Sequence, residues 1–213
     1  MDKNSISVKD LTKSYKEKTI FDRLSLDIKE NKITSIYGES GSGKTTLLYI
    51  IGMIEGYEKG EIKIFGDLIP KLSSKQARIV RREKIAFLFQ NYGLIEEESV
   101  KYNLNVGNRK YTRDDMKKVL KRVGLSYLKL TEKVFKLSGG EKQRISMARV
   151  ILKDSKIILA DEPTGSLDND NKIKIFDLLV EERNRGKTVV IVTHDKYIME
   201  NSDVCIEIKN PNK

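Results

Sequence analysis

Several short stretches of this chain carry residue types and spacings suited to handling phosphate. "GESGSGKT" fits G-x-x-x-x-G-K-[ST] at Gly38, Gly43, Lys44 and Thr45. Glycines so placed let the backbone wrap around an anion with successive N–H groups pointing inward. Lys44 would then reach the β- and γ-phosphates of a nucleotide, and the Thr45 hydroxyl would ligate Mg2+. Ser40, Gly41, Ser42 and Thr46 fill out the same nucleotide-binding stretch.

"IILADE" supplies carboxylates. An apolar strand would carry Asp161 to its C-terminal edge, where α/β folds place ligands, and Asp161 would hold the metal through water. Glu162 follows directly, placed to act as general base toward an attacking water. The bland alternative is a solvated acidic turn. His194, the chain's one histidine, lies just past the apolar run "TVVIV". It is either a structural ring or a hydrogen-bond donor to a γ-phosphate oxygen. Gln90 ends "IAFLF" in the same way, and an amide there would sense Mg2+ or position the lytic water. By local pattern alone it reads equally well as an ordinary strand-end amide.

A second anion-binding signal follows far downstream. "KLSGGEKQR" sets a serine and two glycines at the start of a helical pattern, where exposed N–H groups and the helix dipole favour an anion. One small domain has no evident use for two such loops.

The elements that must position these residues can be read in outline. "SISVKDL", "FDRLSLDI", "KITSIYG" and "EIKIFG" are short strand-like runs broken by charged or glycine-containing turns. "KITSIYG" runs into the glycine-rich loop, and "KTTLLYIIGMI" after it has helical length, which gives the strand–loop–helix context that a phosphate loop needs. After the strand "KIAFLFQ" the texture becomes helical. Thr112 is a candidate cap with Asp114 and Asp115 in the first turn. Met116, Val119, Leu120 and Val123 form the buried stripe, and Gly124 is the stop. Ile145, Ala148 and Leu152 mark the apolar side of a helix after "LSGG". The continuous runs "KIILADE" and "KTVVIVTHD" predict strands covered on both faces, as in parallel sheets. The expected architecture is an α/β fold: a phosphate-loop NTPase core with a mainly parallel sheet, an N-terminal antiparallel β subdomain, and a helical subdomain inserted from about Asn91 to Leu152.

Composition narrows the class. A chain of 213 residues with 38% hydrophobic and 34% charged residues suits a single soluble domain, and its longest apolar runs are strand-sized. "MDKNSISVKD" has no signal-peptide character, and Cys205 is expected as a buried structural thiol; both favour a cytosolic protein. The net charge of +10 is spread along the chain. Its densest stretch, "KQARIVRREK" from Lys75, predicts a surface helix with Ser73 and Gln76 spaced as a capping box. That helix is a solvated face or a docking surface, and no nucleic-acid partner is expected.

"LSGGEKQR" together with the phosphate loop resembles the ATP-binding subunit of ABC transporters over nearly the whole chain. The resemblance answers the question of the second loop: in that family the signature serves ATP bound to a second, antiparallel copy. It implies that Ser138, Gly139 and Gly140 act in trans, that Asp168 in "SLD" contacts the opposing site, and that His194 is the switch histidine. It further implies that Tyr15 stacks on adenine and that Gln90 belongs to the loop linking ATP to the membrane partner. The implied cofactors are ATP and Mg2+. The implied partners are a second copy, or a related ATPase subunit, and an integral membrane permease, with the protein peripheral on the inner face of the membrane. "DEPTGSLD" and "KLSSKQARIVRREKIAFLFQ" resemble the group of macrolide exporters, lipoprotein-release machines, cell-division proteins and peptide-antibiotic resistance pumps. A soluble ATPase of the same superfamily is the alternative. Glu39, the acidic "LIEEESVKYNL" and the absence of a common proline before "LSGG" depart from the usual pattern. The last two of these differences lie where the membrane partner should touch.

Overall fold

The computed structural model describes residues 3–107, 111–165 and 167–211. Two sheets organise it. The first is antiparallel, in the order β2-β1-β4-β5, built from β1 (Asn4–Tyr15), β2 (Lys18–Lys29), β4 (Lys59–Ile64) and the short β5 (Asp67–Leu68). The second has the order β6-β7-β8-β3-β9: Ile85–Leu88, Ile157–Asp161, Thr188–Val192, Ile33–Tyr37 and Val204–Glu207. Its pairings are all parallel.

Alternation of side chains across the parallel sheet divides the core in two. Ile158, Ala160, Ala86, Leu88, Val189 and Ile191 face one cluster. It takes in residues of α3 (Val100–Asn105), α4 (Arg113–Arg122), α5 (Gly139–Lys153) and α6 (Asn169–Asn184). Ile157, Leu159, Ile36, Val190 and Val192 face the other, shared with α1 (Lys44–Ile51) and the antiparallel sheet. Every residue of β7 and β8 is buried, as their unbroken apolar runs require.

The helix after Thr112 forms as its pattern predicts. Thr112 and Asp115 make a full capping box, and Met116, Val119 and Leu120 are buried. Two expectations are corrected. The basic helix α2 (Lys75–Lys84) is capped by Ser74, whose hydroxyl accepts from the Ala77 N–H, and not by Ser73. Cys205 is exposed on the edge strand β9, within 3.1 Å of the Ser35 hydroxyl and 3.2 Å of the Met199 carbonyl. An edge strand leaves alternate residues outside the core, so strand-like apolarity did not guarantee burial there. The remaining helix, α7 (Lys196–Glu200), joins β8 to β9.

Candidate nucleotide site

The parallel register brings the phosphate-handling residues to one edge. Ile36 pairs with Val192, Asp161 with Val192, and Leu88 with Ala160, so the C-terminal ends of β3, β8, β7 and β6 are level. Gly38 follows β3, Asp161 ends β7, His194 lies just past β8, and Gln90 sits in the exposed turn after β6.

The loop from Gly38 to Thr46 is tightly roofed. Gly43 has φ +92°, and a Cβ there would come within 2.5 Å of Ile20 Cγ2 and 2.8 Å of the Phe21 ring. Only glycine tolerates both the left-handed backbone and the contact. Gly43 is also the N-cap of α1 and offers no side-chain cap, so the first N–H groups of that helix are left to an external anion. The Lys44 ammonium lies inside the turn, donating to the carbonyls of Gly38 at 3.0 Å and Glu39 at 2.8 Å.

Thr45 Oγ1 donates to Asp161 Oδ1 at 3.0 Å. Asp161 is only 1% exposed, and burial pushes its carboxyl above the ordinary aspartate value; the Thr45 hydrogen bond pulls it back, and the Glu162 charge pushes it up again. Among the described residues no hydrogen bond within 3.5 Å reaches its Oδ2, although the Tyr49 hydroxyl lies close enough to draw the carboxyl down as well, and the buried Ser42 hydroxyl has no partner. Buried oxygens left unpaired cost stability. A hydroxyl and a carboxylate with a spare oxygen, beside a phosphate-binding loop, form a donor set that fits Mg2+.

Glu162 has φ 43°, a left-handed backbone rare for a non-glycine residue, held by its N–H donating to the Val192 carbonyl at 2.9 Å. Its Oε1 lies 2.8 Å from His194 Nδ1, while Oε2 is buried without a hydrogen-bond partner. Sequence reasoning placed both residues at this edge but did not foresee their pairing. Nδ1 faces Glu162, which leaves Nε2 as the ring atom not engaged by that contact. No described contact joins Gln90 to Thr45 or Asp161.

Tyr15 ends β1 with its hydroxyl bonded to Glu55. The signature turn lies on other elements. Ser138 caps α5 in a capping box with Glu141, whose second oxygen accepts from the Tyr127 hydroxyl at 2.7 Å. A Cβ on Gly139 would lie 3.0 Å from the Tyr92 hydroxyl, and one on Gly140 2.9 Å from Asn171 Nδ2. Asn171 in turn donates to Asp168 Oδ2 at 2.8 Å, so one amide links the signature to the N-cap of α6. The S-x-x-E spacing of Ser138 and Glu141 is a local capping signal that sequence reasoning passed over, whereas the Tyr127 and Asn171 contacts had no visible signal, because each joins separate segments.

The phosphate loop, the carboxylate pair and the glycine-rich cap of α5 coexist in one fold, and the family model described as "ABC transporter" matches residues 21–165. The chain belongs to the ABC transporter family. It is an ATP-binding and ATP-hydrolysing cassette of that family, whose cassettes dimerise and work with membrane permeases. The macrolide export ATP-binding/permease protein MacB of Campylobacter jejuni is 37% identical over 211 residues, covering 96% of this chain and 33% of that protein. The cassette thus spans about a third of the length of that relative. The lipoprotein-releasing system ATP-binding protein LolD of Aquifex aeolicus is 32% identical, covering 96% of this chain and 92% of that protein. The dimeric structure of the bacterial ABC transporter cassette MJ0796 superposes with a TM-score of 0.87 at 35% identity, covering 96% of this chain and 94% of that one. A dimeric post-hydrolysis state of MJ0796, bound to ADP and Pi, gives 0.86 at 33% identity with the same coverage. These relatives are transport proteins, and the soluble-ATPase alternative gains no support from them. No helix among the described residues is long and apolar enough to cross a membrane.

Proposed function

We propose that this cassette hydrolyses ATP at two composite sites formed by a head-to-tail pair of chains, and that opening and closing of the pair moves an exporter-type permease. The observation that carries this reading is the separation of two anion-binding turns. Residues 38–46 meet Asp161 and the roof of β2, whereas residues 138–140 meet Glu141, Tyr92 and Asn171. The signature therefore has its own support and suits a nucleotide held by another copy.

In this mechanism residues 38–46 cradle the polyphosphate with backbone N–H groups, and Lys44 exchanges its loop carbonyls for phosphate oxygens. Tyr15 stacks on the adenine. Thr45 and Asp161, the latter through water, would hold Mg2+ with help from Gln90; when bound, the metal offsets negative charge on the phosphates. Glu162 accepts the proton of the attacking water, the water oxygen bonds to the γ-phosphorus, and the bond to the β-phosphate oxygen breaks. His194 orients Glu162 through Nδ1 and contacts the γ-phosphoryl oxygens. Ser138, Gly139, Gly140 and Asp168 of the opposing copy close the site. Residues 1–213 act as one ATPase domain, with 91–152 as its helical insert.

Similarity to MacB and LolD supports an export or mechanical role with peptide, antibiotic or lipoprotein cargo, and a peripheral place on the inner membrane face. A groove of about 570 Å3 supports a membrane partner. Phe87 and Phe89 line it beside Arg78, Arg81, Arg82 and Arg149. Such a groove suits a permease segment that carries an apolar side chain between carboxylates.

The test is the dimer itself. Glu162→Gln with Mg·ATP should elute and scatter as twice 24.4 kDa. Adding Ser138→Arg should return it to one chain while ATP binding persists. Loss of ATP affinity on adding Ser138→Arg would contradict the in-trans assignment.

A further inference from the structure

Tyr15 is held on more sides than a stacking platform requires. Its hydroxyl donates to Glu55, in the loop after α1. The Lys13 ammonium lies 4.5 Å from the centre of its ring and 3.0 Å from the same Glu55 oxygen. This ion pair is shielded, with side chains only 13% and 24% exposed, unlike the chain's solvent-facing pairs such as Arg82–Glu83 at 61% and 54%. Glu58 adds a second tie from the same loop by accepting from the Ser14 N–H at 3.0 Å. The end of β1 is thus fastened to the segment that leaves the phosphate-loop helix.

We infer that Glu55 and Lys13 are positioning and base-specificity residues for the nucleotide, a reading that rests on Tyr15 being the stacking platform. With its hydroxyl tied and the ammonium over one face, the ring offers the opposite face to a base. The cation also draws π-density toward itself. That lowers the repulsion between the exposed ring face and an electron-rich purine, and it favours offset stacking. A pyrimidine, with less area and less π-density to share, gains less. Fixing the ring in advance further reduces the ordering cost at binding.

The test compares Tyr15→Ala, Glu55→Ala and Lys13→Met by steady-state hydrolysis of ATP and CTP. Glu55→Ala and Lys13→Met are expected to raise KM for ATP about three- to ten-fold with kcat within two-fold. They should also shrink the preference for ATP over CTP by a similar factor. Lys13→Arg should restore most of both. A lower kcat with the ATP/CTP ratio unchanged would mean that the two residues only support the fold and would overturn the inference. If Tyr15→Ala raises KM but the Glu55 and Lys13 variants do not, the stacking reading stands and the positioning inference fails. If Tyr15→Ala itself leaves KM for ATP unchanged, the stacking reading fails, and the inference with it.

Discussion

The division of labour proposed for Asp161 and Glu162 rests on neighbouring positions with opposite surroundings. Asp161 is the last residue of a buried strand and points an oxygen at Thr45. Glu162 turns into left-handed backbone and presents its carboxylate to His194. A backbone of that kind costs about 1–3 kcal/mol, which the Val192 hydrogen bond and the surrounding packing must offset. Glu162→Gln keeps the shape and removes the proton acceptor, so turnover should fall about 10²–10⁴-fold in a phosphate-release assay. Turnover near the unmodified rate would remove Glu162 from the base role. His194→Ala should cost less than Glu162→Gln if the ring mainly orients the carboxylate. A larger loss would give the ring the leading part.

Elements formed where local signals and tertiary packing agreed. Thr112 with Asp115, and the stripe behind them, could be read directly, because a cap and an i, i+3, i+4 pattern are local properties. The parallel strands were legible from unbroken apolar runs, and their common edge followed from what comes after each one. Pairings such as Tyr127 with Glu141, or Asn171 with Gly140 of the signature, were not, since they join segments that only the fold brings together. The α2 cap failed by one residue because Ser73 and Ser74 are adjacent and the choice depends on which has extended backbone with its oxygen over the first turn. Ser74→Ala should therefore lower unfolding free energy by about 1 kcal/mol, while Ser73→Ala stays within about 0.5 kcal/mol, by urea denaturation. The cap of α5 gives a pH prediction. The Tyr127 hydroxyl, and after it the Ser138 N–H and hydroxyl, hold the Glu141 carboxyl below its ordinary value despite partial burial. A lowered carboxyl contributes stability above its unfolded value, about 4.3, and loses it as pH falls through the folded one. Tyr127→Phe should thus cost under about 1 kcal/mol at neutral pH, where solvent screens the pair, and the difference should close as thermal melts are taken to acid pH.

At the scale of the whole molecule, the same parallel sheet that levels the ATP-binding edge also connects it to the groove. β6 runs from the α2 end, past Phe87, into the turn that holds Gln90. The Arg149 guanidinium reaches from α5 to the carbonyls of Gly93 and Tyr92, at 2.6 and 3.1 Å, and so ties that turn to the helix whose start is the signature. A segment seated against Phe87 and Phe89 would sit within one turn of Gln90 and one helix of Ser138. Motion at the nucleotide could then be transmitted by rigid elements, without long-range rearrangement of the core. The proposed docking would also give part of the +10 charge a use as a protein-binding surface. Arg78→Glu combined with Arg82→Glu should reduce the membrane protein recovered with the Glu162→Gln, Mg·ATP-bound cassette by ten-fold or more, with circular dichroism confirming that the variant is folded. Rising salt should weaken recovery with the unmodified groove, because exposed charges are screened over about 8 Å at physiological ionic strength and over less at higher salt. Undiminished recovery would move the docking face away from this groove while leaving the ATPase assignment intact.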